Sequence, residues 1–501
     1  MENNILSNGL VGIYENRDVN KYFEEAPFNP SEKYSEYKFK DCISLSKNYI
    51  YSSVRECLKL LNLDIKNYNK ENWNPLKTII KPGDKVVIKP NFVLDKHNYG
   101  GNIWSIITHP SIIRAIVDYV YIALNGKGHI IIADAPQADC DFNNFLKISK
   151  IETIKKLYKE KVNFDIEIYD LRQVRYVVNH HGFLDSNSRI YQNGDPLGYE
   201  VVDLTSKSEF STLNNYDKIY GADYDRSETI KHHTKDKNEY CISKTVLSAD
   251  VIISVPKIKT HRKAGVTLNL KNLVGINGNK NYLPHFQIGT PENGGDEFPQ
   301  LNNKQKIVFY TNRKLIDKLL ARPNLIKDKI YGTSKFLYKF IKKMLKINIE
   351  TKNVISAGNW YGNDTTWRMV VDLNKILIYS DKVGNMRNIP QRRFISFVDG
   401  IIAGEGEGPL IPDSKPCGII ACGFNPYVVD ITLTKLMGIN YKKLKKFQAI
   451  NKLINFRIFN CDIDKVVIKS NNSRYECLLK NDSDKFLQFK LPRGWRNKIE
   501  L

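Results

Sequence analysis

The sequence predicts an α/β fold in which a mostly parallel sheet is flanked by helices, with a basic helical insertion and a small C-terminal element. Four short apolar runs, rich in Val and Ile, have the length and composition of strands that are buried on both faces. Each run is followed closely by one ionisable residue, and these are Lys89, Asp134, Lys257 and Asp399. Ligands of open parallel sheets bind outside the carboxyl ends of the strands. We therefore expect the four residues to converge at one site.

The segments between these runs carry turn and helix signals in the order that parallel strands need. A turn at residues 81–84 precedes a strand at 85–88, Pro110 opens a helix over 110–124, and two glycines end that helix before a strand at 130–133. This β-α-β order implies a right-handed crossover between parallel neighbours. The remaining predicted helices cover residues 46–63, 147–160, 241–249 and 428–437, and the remaining strands cover 165–169, 251–253, 369–379, 394–398 and 418–422.

Length and composition predict one large domain with additions. The chain has 501 residues, of which 42% are hydrophobic, and this is enough for a substantial core. We expect an N-terminal arm at residues 1–45, the α/β domain at 46–440 and a small C-terminal element at 441–501. The stretch 179–237 is polar and weakly patterned, as functional or covering loops are. No apolar stretch approaches the ~20 residues of a membrane-spanning helix and no signal-peptide pattern is present, so the expected location is the cytoplasm.

The eight cysteines are scattered along the chain and include no C-x-x-C pair. Zinc knuckles and ferredoxin-type clusters need closely spaced cysteines. We therefore expect buried free thiols and no iron–sulfur cluster. The cysteines are Cys42, Cys57, Cys140, Cys241, Cys417, Cys422, Cys461 and Cys477.

A strongly basic segment lies at residues 303–352. It contains 14 Lys or Arg residues but only three acidic ones, in a chain whose formal net charge is +22. Its apolar residues recur on one helical face while lysines occupy the rest, so the segment predicts a basic amphipathic helix. That apolar face consists of Phe336, Leu337, Phe340, Ile341, Met344 and Leu345.

The basic helix has two open interpretations. One is a helix packed on the core with a solvated lysine face. The other is an interfacial helix that docks the protein peripherally on an anionic membrane surface. No nucleic-acid motif accompanies the interleaved aromatic residues, so nucleic acid is the least favoured partner.

The densest polar stretch follows the third apolar run. If the chain stays extended there, Lys257, Lys259 and His261 share one side, because side chains alternate along a strand. Two cations and an imidazole at one place predict a clamp for phosphate or carboxylate, with His261 as a proton carrier or metal ligand. Lys271 and His285 recur nearby in the sequence. The alternative is a solvated strand end.

A glycine-rich stretch with three carboxylates spans residues 399–409. Glycines let a backbone approach a ligand closely, and Asp399, Glu405 and Glu407 suit a hard divalent cation such as Mg²⁺. Asp134, at another predicted strand end, is a fourth candidate ligand. The alternative is a glycine-rich turn with solvated acids.

Residues 358–368 place two tryptophans beside polar side chains. Aromatic walls around hydrogen-bonding groups are typical of a small-molecule pocket, and Asn363, Asp364 and Arg368 are candidate substrate-binding residues there. Equally, the tryptophans can pack in the core beside a helix start that Asp364 or Thr365 caps. The sequence has neither a G-x-G-x-x-G motif nor a Walker loop, so it gives no support to the usual nucleotide-binding folds.

Several of these motifs together resemble the DUF362 family, and the resemblance runs from about residue 10 to about residue 440. The family is named for a domain of unknown function, so the resemblance implies membership rather than an activity. Some members carry ferredoxin-like cysteine clusters and are described as iron–sulfur proteins, but this chain lacks that pattern, so the resemblance carries no redox role to it. The motifs are Ile88-Lys89-Pro90-Asn91, Thr108-His109-Pro110, Pro256-Lys257-Ile258-Lys259-Thr260-His261, Leu270-Lys271-Asn272, Leu283-Pro284-His285, residues 358–368, and residues 399–409 with Leu436-Met437-Gly438.

These motifs favour a cytoplasmic enzyme of undetermined reaction that acts on an anionic, phosphorylated or carboxylated metabolite. The alternative is a non-catalytic protein that binds an anionic ligand, or that assembles with a partner through its basic insertion. A redox protein related to the iron–sulfur members is the least favoured. The expected roles are catalysis by His261, His285 and Lys257; substrate binding by Lys89, Asn91, Lys259, Lys271, Asn272, Asn363, Asp364 and Arg368; and a divalent metal on Asp134, Asp399, Glu405 and Glu407.

Overall fold

The structure is a computed structural model that describes most of the chain. The basic insertion predicted at residues 303–352, with its amphipathic helix, lies outside the described residues except for residue 311. The described residues are 5–177, 188–222, 226–297, 311, 355, 357–480 and 486–501.

Sixteen strands lie in the described residues, and ten of them form the main sheet. In chain order the strands are β1 Leu10–Glu15, β2 Lys85–Pro90, β3 His129–Asp134, β4 Ile166–Asp170, β5 Val174–Tyr176, β6 Arg189–Tyr191, β7 Tyr199–Asp203, β8 Ile219–Gly221, β9 Glu239–Ser243, β10 Val251–Val255, β11 Lys257–His261, β12 Gly265–Thr267, β13 Pro284–Gln287, β14 Arg393–Glu405, β15 Asp413–Gly423 and β16 Val467–Ser470.

The main sheet has the order β16-β1-β15-β14-β10-β2-β3-β4, and β11 adds to β14 with β12 beside it. The run from β14 to β4 is parallel throughout, and only β15 and β12 pair antiparallel with their neighbours. The carboxyl ends of β10, β2 and β3 therefore meet along one edge, which is where the predicted ionisable residues lie. The predicted α/β fold with a mostly parallel sheet is confirmed.

Ten helices accompany the strands in the described residues, and they cover both faces of the sheet. The alternating side chains of β2 show this, because Val86 and Ile88 pack in one core and Val87 in the other. The first core includes helices α1 and α2, and the second includes α8 and α9. The helices are α1 Tyr49–Leu60, α2 Pro110–Leu124, α3 Phe142–Ser149, α4 Glu152–Val162, α5 Arg226–His232, α6 Lys244–Leu247, α7 Asn269–Asn272, α8 Thr366–Tyr379, α9 Pro426–Leu436 and α10 Lys445–Lys452.

Three sequence predictions of local structure are wrong. The strand predicted at 369–379 is part of helix α8, and its eleven residues, with Asp372, Asn374 and Lys375 among them, exceed the usual length of a strand. The helix predicted at 241–249 begins as strand β9 and becomes helical only at α6. The helix predicted at 147–160 is divided between α3 and α4, where Lys150 adopts a φ of 54°.

The predicted arm and the predicted C-terminal element each contribute a strand to the main sheet. Strand β1, inside the predicted arm, pairs antiparallel with β15 and parallel with β16, which belongs to the C-terminal element. The ends therefore complete one edge of the main sheet. The predicted loop at 179–237 also contains regular structure within its described part, namely β6, β7, β8 and α5.

Among the helices of the described residues, none combines the length and the apolar character that crossing a bilayer requires.

Candidate functional site

Two buried ion pairs form at the strand ends that the sequence singled out. The first joins Lys89 of β2 to Asp134 of the neighbouring parallel strand β3, with Lys89 Nζ 2.7 Å from Asp134 Oδ1. Lys89 Nζ also donates to the carbonyl of Pro90 at 2.7 Å, and Asp134 Oδ2 accepts from the backbone N–H of Phe92 at 2.7 Å. Burial lowers the pKa of Lys89, and the charge of Asp134 opposes this shift.

The backbone of Gly275 closes over this first pair. A Cβ atom at Gly275 would lie 1.8 Å from Asp134 Oδ1 and 2.7 Å from Lys89 Nζ. Both contacts are far inside van der Waals distance, so any side chain here would displace the ion pair. The nearby Asn272 holds the pair from another side, since its Nδ2 donates to the carbonyl of Lys89 at 3.0 Å.

The second pair joins Lys257 at the start of β11 to Asp399 of β14, with Lys257 Nζ 3.0 Å from Asp399 Oδ2 and both side chains fully buried. The hydroxyl of Tyr22 bonds Lys257 and donates to Asp399 Oδ1 at 2.5 Å. The ring of Tyr22 stacks on His109 at a centroid distance of 4.2 Å. The His109 backbone N–H completes the carboxylate by donating to Asp399 Oδ2 at 3.0 Å.

The two pairs are distinct contacts at different strand ends, and a member of each lies within electrostatic range of Lys259. Strands β14 and β3 are three sheet positions apart, and neighbouring strands are ~4.8 Å apart, so Asp399 and Asp134 lie about 14 Å from each other across the sheet. Each carboxylate is neutralised by its own lysine.

The other two predicted metal ligands face different cations. Glu405 lies 3.2 Å from Lys415 Nζ and accepts from the backbone N–H of Lys490 at 3.0 Å. Glu407 lies 3.2 Å from Arg262 Nε. The predicted glycine-rich loop is also shorter than expected, because β14 continues through Glu405. Across the described ranges, no three His, Cys, Asp or Glu side chains are grouped as metal ligands, and the metal site stays a prediction.

Strand β11 holds Lys257, Lys259 and His261 at alternate positions, which form the predicted row, and all of its residues are buried. Lys259 follows Lys257 on this row and donates from Nζ to the carbonyl of Ile106 at 2.5 Å. Across the β11–β12 pair Lys259 faces Thr267, whose buried hydroxyl has no hydrogen-bond partner among the described residues. Burial, then the charges of Lys257 and Lys271, hold the pKa of Lys259 well below its usual value.

Lys271, on the short helix α7, is the most unusual cation of the site. Its side chain is buried, yet within the described part of the chain its amine has neither a hydrogen-bond acceptor nor an acidic partner. Burial and the charges of Lys280, Lys446 and Lys263 lower the pKa of Lys271 to about 7. An amine in this state exchanges a proton near neutral pH.

Two histidines lie within electrostatic range of Lys271. For each of them burial is the largest cause of a pKa well below the usual value, and the charge of Lys271 is the next. His261 Nδ1 accepts from the backbone N–H groups of Lys263 and Ala264 at 3.0 and 3.2 Å, so the neutral ring carries its proton on Nε2. His285 Nδ1 donates to the carbonyl of Leu283 at 2.8 Å, so its Nε2 is unprotonated.

Lys259, His261, Lys271 and His285 together form what we call the cationic cluster. More lysines surround it: Lys280 Nζ donates to the carbonyl of Ala135 at 2.9 Å. Lys446 Nζ donates to the carbonyl of Val266 at 2.9 Å, beside the carboxylate of Asp430. Four lysine amines gathered here favour an anion as their ligand, and the two oppositely oriented neutral imidazoles can donate and accept a proton beside it.

The segment at 358–368 contains the start of helix α8. Asn363 Oδ1 accepts from the backbone N–H of Thr366, the first residue of that helix, at 2.8 Å. Asp364 lies 2.7 Å from Arg368 Nη2, and also bonds Lys445 and the indole N–H of Trp367. These contacts engage Asn363, Asp364 and Arg368 within the protein.

Helix α8 reaches the cationic cluster through the backbone of His285. The carbonyl of His285 accepts from Asn363 Nδ2 at 3.0 Å and from Thr366 Oγ1 at 2.7 Å. The predicted binding residue Asn363 therefore positions a histidine of the cluster. Asn91 is different, because its buried Oδ1 has no hydrogen-bond partner in the described residues.

The sequence profile of the DUF362 family, a domain of unknown function, matches residues 86–192 and 206–435. These ranges cover well over half of the chain. The chain belongs to the DUF362 family. The four residues of the cationic cluster and both strand-end ion pairs lie inside the matched ranges.

Other comparisons add little to the DUF362 assignment. Among curated proteins, none matches this chain. A crystal structure of a protein from Thermotoga maritima aligns with 9% sequence identity and a TM-score of 0.27, over 73% of this chain and 54% of that chain. The alignment thus spans about half the length of the Thermotoga protein.

Several site residues of this DUF362 protein escaped the sequence prediction. Tyr22 comes from a turn-rich segment and contacts a carboxylate 377 positions away, so no local pattern marks it. Lys280 and Lys446 look like ordinary surface lysines in sequence. The apolar neighbours of Asp430 within helix α9, by contrast, are a usable signal, since a carboxylate there has to be buried.

Proposed function

We propose that this DUF362 protein is an enzyme that binds an anionic metabolite, phosphorylated or carboxylated, at the cationic cluster. The observation that carries the proposal is Lys271, whose side chain is only 8% exposed and whose amine has no partner among the described residues. Burying an unpaired charge is costly, so such a group is more readily explained where a ligand supplies the opposite charge. Electrostatic repulsion among Lys259, Lys271 and the surrounding lysines would fall when an oxyanion binds.

The cluster offers several donors to such an oxyanion. Lys271 Nζ and the Nε2–H of His261 have no acceptor within the described residues, and the hydroxyl of Thr267 is likewise unpartnered. His285 presents an unprotonated ring nitrogen to the same surroundings. The bound anion would then lie beside one imidazole that can donate a proton and another that can accept one. These are the general acid and the general base of acid–base chemistry.

Ligand-dependent thermal stabilisation tests the proposal directly. Inorganic phosphate, pyrophosphate, pyruvate and citrate are suitable probes, compared on the wild type, Lys271→Met and the control Lys156→Met, whose lysine is 74% exposed. A probe at a hundredfold excess over its dissociation constant stabilises the folded state by about 2.7 kcal/mol. We expect stabilisation of the wild type and of Lys156→Met, and its loss in Lys271→Met. Equal stabilisation of all three proteins, or none in any, would refute the site.

The alternative of a non-catalytic anion-binding protein is separated from an enzyme by a second measurement. Proton nuclear magnetic resonance in D₂O follows exchange of the carbon-bound protons of a bound carbonyl probe such as pyruvate. Exchange that the wild type catalyses and His285→Gln does not supports an enzyme. Binding without exchange of any probe supports the alternative.

Two hypotheses from the sequence need experiments of their own. Metal analysis of the purified protein tests the divalent cation proposed on Asp134, Asp399, Glu405 and Glu407. Flotation with anionic and neutral vesicles tests membrane docking through residues 303–352, with a variant that lacks those residues as the control. Metal bound in a one-to-one ratio, or flotation only with anionic vesicles, would support the respective hypothesis.

A further inference from the structure

Lys271 differs from the other lysines around the cationic cluster in what its amine contacts. Lys259, Lys280 and Lys446 each donate to a backbone carbonyl, at 2.5, 2.9 and 2.9 Å. Those three amines are each held by a hydrogen bond within the described residues. Lys271 is also buried, at 8% exposure, but no described residue accepts a hydrogen bond from it. Its nitrogen lone pair is therefore available whenever the amine is neutral.

The surroundings of Lys271 favour the neutral amine. Burial and the neighbouring lysines lower its pKa to about 7, so a large fraction is unprotonated at physiological pH. Desolvation next to other cations is a known means of making a lysine nucleophilic. The same neighbouring cations attract an anionic substrate, so nucleophile and substrate are brought to one place.

The two histidines supply the proton transfers that a lysine nucleophile needs. His261 has its proton on Nε2 and can donate a hydrogen bond to an oxygen that becomes negative. His285 has its lone pair on Nε2 and can take a proton from nitrogen. Their tautomers are opposite because one Nδ1 faces backbone N–H groups and the other faces a carbonyl.

We propose that Lys271 condenses with the carbonyl group of an anionic substrate, an oxo acid or a phosphorylated ketone, to form an imine. This inference rests on the proposed function, since the anion must first bind at the cationic cluster. The Lys271 nitrogen attacks the carbonyl carbon, and a C–N bond forms while the carbonyl π electrons move to oxygen. His261 donates a hydrogen bond to that oxygen.

Loss of water completes the step. His285 carries the two protons of the neutral amine, one after the other, from nitrogen to the former carbonyl oxygen. The C–O bond then breaks, the oxygen leaves as water, and the nitrogen lone pair forms the C=N bond. Atoms and charge balance without an oxidant or reductant. The imine draws electrons from the adjacent carbon, so deprotonation or bond cleavage there becomes accessible to a base such as His285.

Reductive trapping on the full chain tests the imine. The protein is incubated with pyruvate or with dihydroxyacetone phosphate, treated with sodium borohydride and digested for peptide mass spectrometry. We expect a reduced adduct at Lys271 that forms faster than at exposed Lys156, and that increases as pH rises through about 7. An adduct with pyruvate alone identifies an oxo acid, and one with dihydroxyacetone phosphate alone identifies a phosphorylated ketone.

The control variants separate this inference from the proposed function. His285→Gln should slow trapping by at least tenfold while the probe still stabilises the protein, because the ring moves the proton but does not form the bond. Trapping at Lys271 no faster than at Lys156, with anion binding intact, would overturn the imine and leave the anion site standing. Loss of both binding and trapping in the wild type would overturn the two together.

Discussion

Lys257 Nζ lies 3.0 Å from Asp399 Oδ2, and neither side chain is exposed to solvent. The sequence assigned catalysis to the lysine and metal binding to the aspartate. In the structure each is the counter-ion of the other, and the hydroxyl of Tyr22 is hydrogen-bonded to both. Lys271, by contrast, has no acidic partner in the described residues.

Breaking the Lys257–Asp399 pair should destabilise the fold strongly. Asp399→Asn leaves the Lys257 ammonium buried without a counter-charge, and we expect a loss of about 3–5 kcal/mol in the free energy of unfolding by urea. The double variant Lys257→Met/Asp399→Asn removes both charges and should recover part of that loss. Glu160→Gln at an exposed pair is the control, with an expected change under ~1 kcal/mol. A single variant as stable as this control would contradict a structural role for the pair.

Gly275→Ala should disrupt the Lys89–Asp134 pair through steric contact alone. Its Cβ would meet Asp134 Oδ1 at 1.8 Å, and relieving that contact should cost about 1–3 kcal/mol in denaturant unfolding. Gly9→Ala is the matched control, because its Cβ would lie 3.4 Å from the closest atom, at Val466. Equal effects of the two substitutions would show that the backbone over the pair can move aside.

Tyr22→Phe removes one hydroxyl from the second pair and keeps the ring that stacks on His109. The hydroxyl is bonded to a carboxylate and an ammonium, so its loss should cost about 2 kcal/mol in the free energy of unfolding. Tyr99→Phe, at a tyrosine that is 72% exposed, should change stability by under ~0.5 kcal/mol. If both variants unfold at the same denaturant concentration, Tyr22 does not hold the pair.

The low pKa of Lys271 should make the free energy of unfolding increase as the pH rises. Its folded-state pKa is about 7, whereas an unfolded lysine titrates near ~10.4. Between these values the unfolded chain binds a proton that the folded chain does not, so stability rises with pH across that window. Below about pH 7 the full cost of burying the ammonium is present.

The variant Lys271→Met isolates this contribution from Lys280 and Lys446, which are also shifted downward by burial. We expect the stability of Lys271→Met relative to the wild type to be highest near about pH 6 and to fall steadily towards about pH 10. Urea unfolding at several pH values measures the difference. A difference that is constant over this range would mean that Lys271 keeps an ordinary pKa in the folded protein.

Sequence patterns predicted the parts of the fold that local signals determine. Helix α2 begins at Pro110 and ends at Leu124 as predicted, because a proline start and the glycines beyond its end mark it independently of packing. The run at 369–379 is not a strand, although its apolar residues suggested one. Asp372, Asn374 and Lys375 interrupt it, and all three are buried in helix α8, so burial there does not follow the polarity of the sequence.

The candidate site, like the fold, was predicted only where local sequence signals determine it. The extended chain expected at 257–261 is strand β11, and parallel pairing brings Lys89 to Asp134. What the sequence could not determine was which charges neutralise each other, because that depends on the order of strands in the sheet. The sequence likewise could not predict the environment of the Lys271 amine, because that environment depends on lysines that enter from segments far along the chain.

The position of β1 between β15 and β16 has a consequence for how the protein is made. Both hydrogen-bonding partners of this first strand are synthesised after most of the chain has left the ribosome. Until then β1 has an unpaired edge on each side, and Tyr22, just beyond it, has no Asp399 to bind. Closure of the sheet and assembly of the buried Lys257–Asp399 pair are therefore late events in folding, and the nascent chain must remain free of aggregation while it waits for them.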